Sequence, residues 1–243
     1  MKTNSLLACL LIATLIISSC RMNVLKGEGN KTTSTPHVSS FNAIDMTLPA
    51  KITINVQSGV QPGIVLNGYE NIIKHIKANT DNNTLTLKTD LDDTWTIDGA
   101  DLVITITTPP IAALSLEGAA DADIHGNITG NSFKLNISGA GKVVIDNLNT
   151  DIFSADISGS GNVSINGGTV KQASYDISGS GEISAFSLQT AETNASISGS
   201  GKSEVTTLQK LSANVSGSGN IAYKGHPSVT TQISGSGSVS DAN

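Results

Sequence analysis

Polar and apolar residues alternate along most of this chain beyond residue 38. Phe153, Ala155 and Ile157 fall on one side of an extended backbone, and Ser154, Asp156 and Ser158 on the other. After Gly159-Ser160-Gly161 the apolar side resumes at Val163 and Ile165, and Asn166-Gly167-Gly168 makes a second turn. Period two over a few residues, bounded by glycine, is the signature of a half-buried strand. Lys51 to Val56, Thr84 to Lys88 and Leu102 to Thr107 alternate in the same way. Asn71 to Asn79 instead places Ile72, Ile73 and Ile76 at helical spacing, which predicts a short helical turn. Pro109-Pro110 forces an extended path and closes this first, less regular section.

The alternation then becomes a repeat. Seven copies read LSLEGAAD, LNISGAGK, ADISGSGN, YDISGSGE, ASISGSGK, ANVSGSGN and TQISGSGS. Their first glycines are Gly118, Gly139, Gly159, Gly179, Gly199, Gly217 and Gly235, spaced by 21, 20, 20, 20, 18 and 18 residues. A fixed period of this length means stacked structural units. One coil of two or three short strands cannot bury its own apolar side, but a stack can. Stacking predicts one interior file of Ile137, Ile157, Ile177, Ile197, Val215 and Ile233, and a second of Val143, Val163, Ile183 and Ile221. Six steps at about 4.8 Å give a rod of about 29 Å. The corners fall to Gly139, Gly141, Gly159, Gly161, Gly179, Gly181, Gly199, Gly201, Gly217, Gly219, Gly235 and Gly237. Glycine bends sharply and lets successive backbones approach closely. The corner serines are placed to hydrogen-bond within the bend or to the next coil. The shorter last periods predict coils that have lost a loop.

Composition narrows the reading. Aromatics are 3% of the chain, so Val, Ile, Leu and Ala must fill the interior. Net charge is −6 and there is no basic stripe, which argues against nucleic acid as a partner. A GSG corner is not a phosphate-cradling loop, because that loop needs a following helix and here another strand follows.

The first residues read as a targeting signal: Lys2, then an apolar run from Leu6 to Ile17 that is too short to span a bilayer. It ends Ile17-Ser18-Ser19-Cys20, which resembles the lipobox of bacterial lipoproteins. An ordinary secretory signal with an incidental cysteine is the alternative. The lipobox resemblance implies a signal peptide over 1–19 and a lipid-carrying Cys20 that partners the membrane. Arg21 after the cysteine then disfavours retention at the inner membrane and points to an outer-membrane lipoprotein, on either face. Cys9 lies within the removed segment, so no thiol is left for a disulfide. Residues 20–37, rich in Gly, Thr, Ser, Asn and Lys, predict a flexible tether. The folded part divides into an N-terminal β section, 38–113, and the repeat, 114–243, which read as one continuous domain.

The lipobox, the alternating section through PPIAALSLEGAADADI and the serial ISGSG copies together resemble the putative auto-transporter adhesin, head GIN domain family. Its members are mostly lipoproteins of the Bacteroidetes, and the resemblance covers roughly residues 40 to 240. It implies an all-β fold, a right-handed single-stranded parallel β-helix (a β-solenoid). It further implies an adhesin role at the cell envelope, with no catalytic residues and no cofactor.

Candidate chemistry is sparse. The position after each corner reads Lys142, Asn162, Glu182, Lys202, Asn220 and Ser238, where Glu182 and Lys202 are placed to form a solvated pair. A second column carries Asp156 and Asp176 on adjacent rungs, which are two solvated carboxylates or a weak calcium site. Asp90, Asp92, Asp93, Asp98 and Asp101 form an acidic loop that does not match a calcium-binding spacing. Trp95 within it is expected as a core or cap plug, with a sugar-stacking platform as the alternative. His37, His75, His125 and His226 show no metal-ligand spacing, so no metal site is expected. The functional expectation is therefore binding of glycan or of an envelope or host protein, without catalysis. A carbohydrate-active enzyme or an envelope scaffold on the same fold is the alternative, and an oligomer through exposed coil ends stays open.

Overall fold

The computed structural model describes residues 23–243; the signal-like segment and Cys20 lie outside the described residues. The N-terminal section carries β1 (Asn23–Leu25), β2 (Lys31–Ser34), β3 (Ala43–Met46), β4 (Lys51–Val56), β5 (Gly63–Tyr69), α1 (Glu70–Ile73), β6 (Ile76–Asp81), β7 (Thr84–Thr89), β8 (Trp95–Ile97) and β9 (Val103–Thr108). The repeat carries β10 (Ala113–Gly118), β11 (Asp121–Gly139), β12 (Lys142–Gly159), β13 (Asn162–Ile165), β14 (Gly168–Gly179), β15 (Glu182–Gly199), β16 (Lys202–Gly217), β17 (Asn220–Lys224), β18 (Ser228–Gly235) and β19 (Ser238–Asp241). The longest of these run unbroken through bends, because each stays hydrogen-bonded to the coil beside it. All pairings within the repeat are parallel and keep register from copy to copy, apart from shifts after Ile124, Ala185 and Thr190. The fold is an all-β solenoid of stacked coils.

The register builds the interior files. Ile137, Ile157, Ile177, Ile197, Val215 and Ile233 are partners in succession. Leu116, Met46 and Leu87 extend the file into the N-terminal section. From Leu87 to Val215 every member is buried. The second file runs Val143, Val163, Ile183, Ser203, Ile221 and Val239. Ser203, which apolar spacing alone does not reveal, occupies an interior position, and its hydroxyl has no partner. Phe133 stacks on Phe153 at 5.9 Å, and Tyr175 meets Phe153 edge-on at 5.8 Å, so three of the few aromatics fill the core across successive coils.

The coils do not stack in chain order throughout. β3 and β4 form a layer that lies between β10–β11 on one side and β7–β9 on the other. The chain leaves this layer through β5, α1 and β6, returns as β7 and β9 beneath it, and only then climbs into the repeat. β5 pairs antiparallel with β9, and β6 with β7, so the N-terminal end is closed by antiparallel strands. Within α1, Ile72 and Ile73 are buried. The expected turn over Asn71–Asn79 is therefore shorter than its spacing implies: from Ile76 the chain is strand, because β7 offers an open edge.

The tether expected over 20–37 is corrected in part. β1 pairs parallel with β8, and β2 pairs antiparallel with β5. Lys31-Thr32-Thr33-Ser34 is mostly exposed, so its place in the sheet comes from backbone bonds, with little apolar burial to mark it. The shortened coils lose residues at a bend: after Ala185↔Val205 the pairing resumes at Gln189↔Thr206, which leaves residues 186–188 without partners in β16.

Candidate functional site

Each GSG corner continues the sheet around a bend. The N–H of Ser160 donates to Gly139 O at 2.8 Å, and that of Asn162 to Gly141 O at 2.9 Å. The same pair of bonds recurs up the stack, as from Ser180 to Gly159 and Glu182 to Gly161. The first glycine of a corner has positive φ, +125° at Gly159, and a Cβ there would lie 2.4 Å from Gly139 O. At the second glycine, Gly161, a Cβ would strike Ile137 Cγ2 at 2.6 Å. Gly139, Gly179, Gly199, Gly217 and Gly235 meet the preceding coil as Gly159 does; Gly181, Gly201, Gly219 and Gly237 press on the apolar file as Gly161 does. Gly141 lacks the side-chain contact and abuts Ala120 O. It is the corner serines' backbone, not their hydroxyls, that makes the bend's bonds.

Period two then sets the outer face. Because Ile157 and its equivalents point in, Ser158 and its equivalents point out. Ser138, Ser158, Ser178, Ser198, Ser216 and Ser234 are register partners and all exposed. Beside them runs Asn136, Asp156, Asp176, Ser196, Asn214 and Gln232. Between the two columns, from Asp176 and Ser178 to Gln232 and Ser234, lies a shallow groove of about 400 Å³. The result is a flat, hydroxyl- and amide-rich face whose groups repeat with the strand spacing of about 4.8 Å.

Several charged groups on the coils are paired and solvated. Lys134 Nζ lies 3.5 Å from Asp156, and Ser174 Oγ donates to Asp176 at 3.2 Å. On the neighbouring face Lys202 Nζ lies 3.5 Å from Glu182 and also bonds Glu204. The Glu204 bond, first, and the two carboxylates' charge raise the Lys202 pKa. His125 Nδ1 lies 3.1 Å from Asp146 Oδ2. Among the described residues no three His, Cys, Asp or Glu side chains converge as metal ligands would. Burial pushes the Tyr175 phenol above its ordinary range.

The acidic loop is likewise a set of local pairs. Asp90 receives Lys77 at 2.8 Å and His75 Nδ1 at 2.7 Å, and these bonds, Lys77's first, hold its carboxyl below the ordinary value. Asp92 accepts both the hydroxyl and the N–H of Thr94, which lower its pKa. Asp101 pairs with Lys31 at 2.7 Å. Trp95 corrects the expectation of a core plug: it is 41% exposed. It sits at the outer end of β8, beyond the point where Ile97 reaches the core. Buried Thr190, Thr193 and Thr207, joined by hydroxyl bonds of 2.6–3.2 Å, were also missed. Their interior parity was readable, but threonine marks neither side of a strand.

The family model described as putative auto-transporter adhesin, head GIN domain, matches residues 40–227. No curated protein matches the chain. Among solved structures, a protein from Parabacteroides distasonis ATCC 8503 described as a putative lipid binding protein is 25% identical, with a TM-score of 0.75 over 91% of this chain and 100% of its own. A putative adhesin from Bacteroides fragilis NCTC 9343 is 24% identical, with a TM-score of 0.77 over 89% of this chain and 99% of its own. A putative adhesin from Parabacteroides merdae ATCC 43184 is 23% identical, with a TM-score of 0.71 over 91% and 100%. The chain belongs to the putative auto-transporter adhesin, head GIN domain family.

Proposed function

We propose that this protein is a lipid-anchored β-solenoid of the cell envelope that binds glycan or protein across its flat hydroxyl face, without catalysis. The observation that carries the reading is the in-register column Ser138 to Ser234 beside the Asn/Asp column, with a shallow groove between them. A rigid array of donors and acceptors at regular spacing suits many weak contacts to an extended, repeating partner. Such contacts ask little of any single side chain. Cys20 supplies the membrane attachment in this reading, through the multiple acyl chains of a lipoprotein. Membership of the adhesin family supports a role at the cell surface or envelope, and no helix among the described residues is long and apolar enough to cross a membrane.

The test uses the lipid-free chain from residue 21 on glycan arrays and immobilised host matrix proteins. Ser178→Tyr and Ser198→Tyr place bulky groups on exposed strand positions that accept tyrosine. Binding should fall about tenfold or more while the thermal midpoint holds. Unchanged binding would remove the face from the account, and release of new sugar ends from any bound glycan would favour an enzyme.

A second reading, assembly through the coil ends, rests on a different observation. In the last coil Val229 is 37% and Ile233 45% exposed, although both continue interior files. Light scattering on a concentration series tests it. A dimer lost on Ile233→Lys would support end-to-end pairing, and a monomer throughout would dismiss it.

A further inference from the structure

Trp95 is the only tryptophan in the chain, and it is 41% exposed. It belongs to a two-stranded ribbon, β1 and β8, that is not hydrogen-bonded into the large sheet. Val24 on the other strand is 48% exposed. The ribbon is fixed to the body at one end only, where Leu25 and Ile97 pair and pack against the core. At its other end Asn23 is the register partner of Trp95, and the Asn23 N–H donates to Thr94 O at 2.8 Å. Trp95 lies on the side that continues into Ile97, and Val24 on the opposite side, so apolar groups flank the free end on both sides.

The position of this end in the chain gives it a partner. Two residues, Arg21 and Met22, separate Asn23 from Cys20, and the three steps of chain span at most about 10 Å. The polar headgroup zone of one leaflet is about 5–8 Å deep. If Cys20 carries lipid, as proposed above, the Trp95 end of the ribbon is held at the bilayer surface. Tryptophan is the side chain best suited to that zone, since its ring is apolar and its N–H still finds water or headgroup oxygen. We infer that the β1–β8 ribbon docks into the headgroup layer of the bilayer that tethers the chain, with Trp95 as its anchor, and so fixes the orientation of the solenoid on the membrane. This inference rests on lipidation of Cys20. Asp92, Asp93 and Asp98 lie within three residues of Trp95, so the docked surface is zwitterionic, and anionic lipid opposes it.

The single tryptophan is its own reporter. Full-length lipoprotein is reconstituted in vesicles of phosphatidylcholine and phosphatidylethanolamine, some carrying bromine high on the acyl chain, and lipid on Cys20 is verified by intact mass. The Trp95 emission should shift to the blue and be quenched by at least twofold by the brominated lipid. Replacing a third of the lipid with phosphatidylglycerol should weaken the quenching. The lipid-free chain from residue 21, which lacks the tether, should show emission as in buffer. Lipidated, vesicle-bound protein whose Trp95 emission matches that in buffer would overturn the docking and leave the anchor standing. A chain without lipid on Cys20 would overturn the anchor and the docking with it. A blue shift in lipid-free solution that grows with protein concentration would assign Trp95 to contact between copies and overturn the inference.

Discussion

The two ends of the solenoid meet the same physical problem differently. At the N-terminal end the last parallel strands, β7 and β9, are covered by antiparallel β6 and β5, and Ile72, Ile73 and Ile76 are buried there. At the C-terminal end β18 and β19 are the final layer. Val215 is 2% exposed and its partner one rung on, Ile233, is 45% exposed. An apolar residue of the repeat is thus interior only when a coil lies on each side of it. The capped end is also where the chain departs from simple winding, since a cap must come from strands that turn against the parallel direction.

This difference can be broken at its joints. The largest effect is expected at a corner. Gly179→Ala would place a Cβ 2.3 Å from Gly159 O at a φ of +128°, so we expect a loss of about 3 kcal/mol or more, read by denaturant unfolding. Gly118→Ala, at φ +93° with nothing within 4 Å of the new Cβ, should cost only about 1–2 kcal/mol. Equal losses would mean that the close approach of coils is not what glycine serves.

The same contrast applies along the isoleucine file. Ile177→Ala should cost about 2–5 kcal/mol, because the cavity is enclosed above and below. Ile233→Ala should cost less than about 1 kcal/mol, because solvent already reaches the site. A cost at Ile233 as large as at Ile177 would indicate that a second copy covers the open end. In the other file, Ser203→Val replaces a buried, unpartnered hydroxyl with the residue found at Val143 and Val163. It should stabilise by about 1–2 kcal/mol, seen as a higher thermal midpoint.

The smallest effect is electrostatic and confined to the capped end. Asp90 is held below its ordinary value of 3.8 by Lys77 and then His75. A carboxyl with a lowered folded pKa adds stability that is complete above its unfolded value and is lost as the pH falls through the folded one. Asp90→Asn should therefore lower the thermal midpoint slightly at pH 7, and the difference should shrink as the pH falls below 3.8. A difference that persists in acid would point to packing instead of charge.

The repeat was readable because two periods coincide there. Alternation at two residues assigns Ile157 inward and Ser158 outward, and the period near 20 says that Ile177 and Ser178 repeat the choice one layer up. In the N-terminal section only the first period exists. Ile44, Ile52, Leu85 and Ile104 are as clearly interior, but nothing local says that β3 and β4 lie between β10–β11 and β7–β9, because that order is set by contacts far apart in the chain. β2 escaped for the opposite reason: an edge strand with little buried surface leaves no apolar trace. Trp95 misled because a large aromatic is usually core, and its exposure follows from the ribbon's attachment at its Leu25–Ile97 end. Of the outer face, the serine column was legible as outward positions. The groove beside it was not, since it depends on how far neighbouring short side chains leave the sheet uncovered.

The central claim is the register of one coil upon the next, and a disulfide tests it directly. Parallel partners such as Ser178 and Ser198 stand about one strand spacing apart, within the Cα separation a disulfide spans. In the chain from residue 21, which holds no other cysteine, Ser178→Cys with Ser198→Cys should close an intramolecular disulfide on mild oxidation. Ser178→Cys with Ser216→Cys, two rungs apart, should stay reduced. If the second pair closes as readily as the first, or neither closes, the stacked coils described here are wrong.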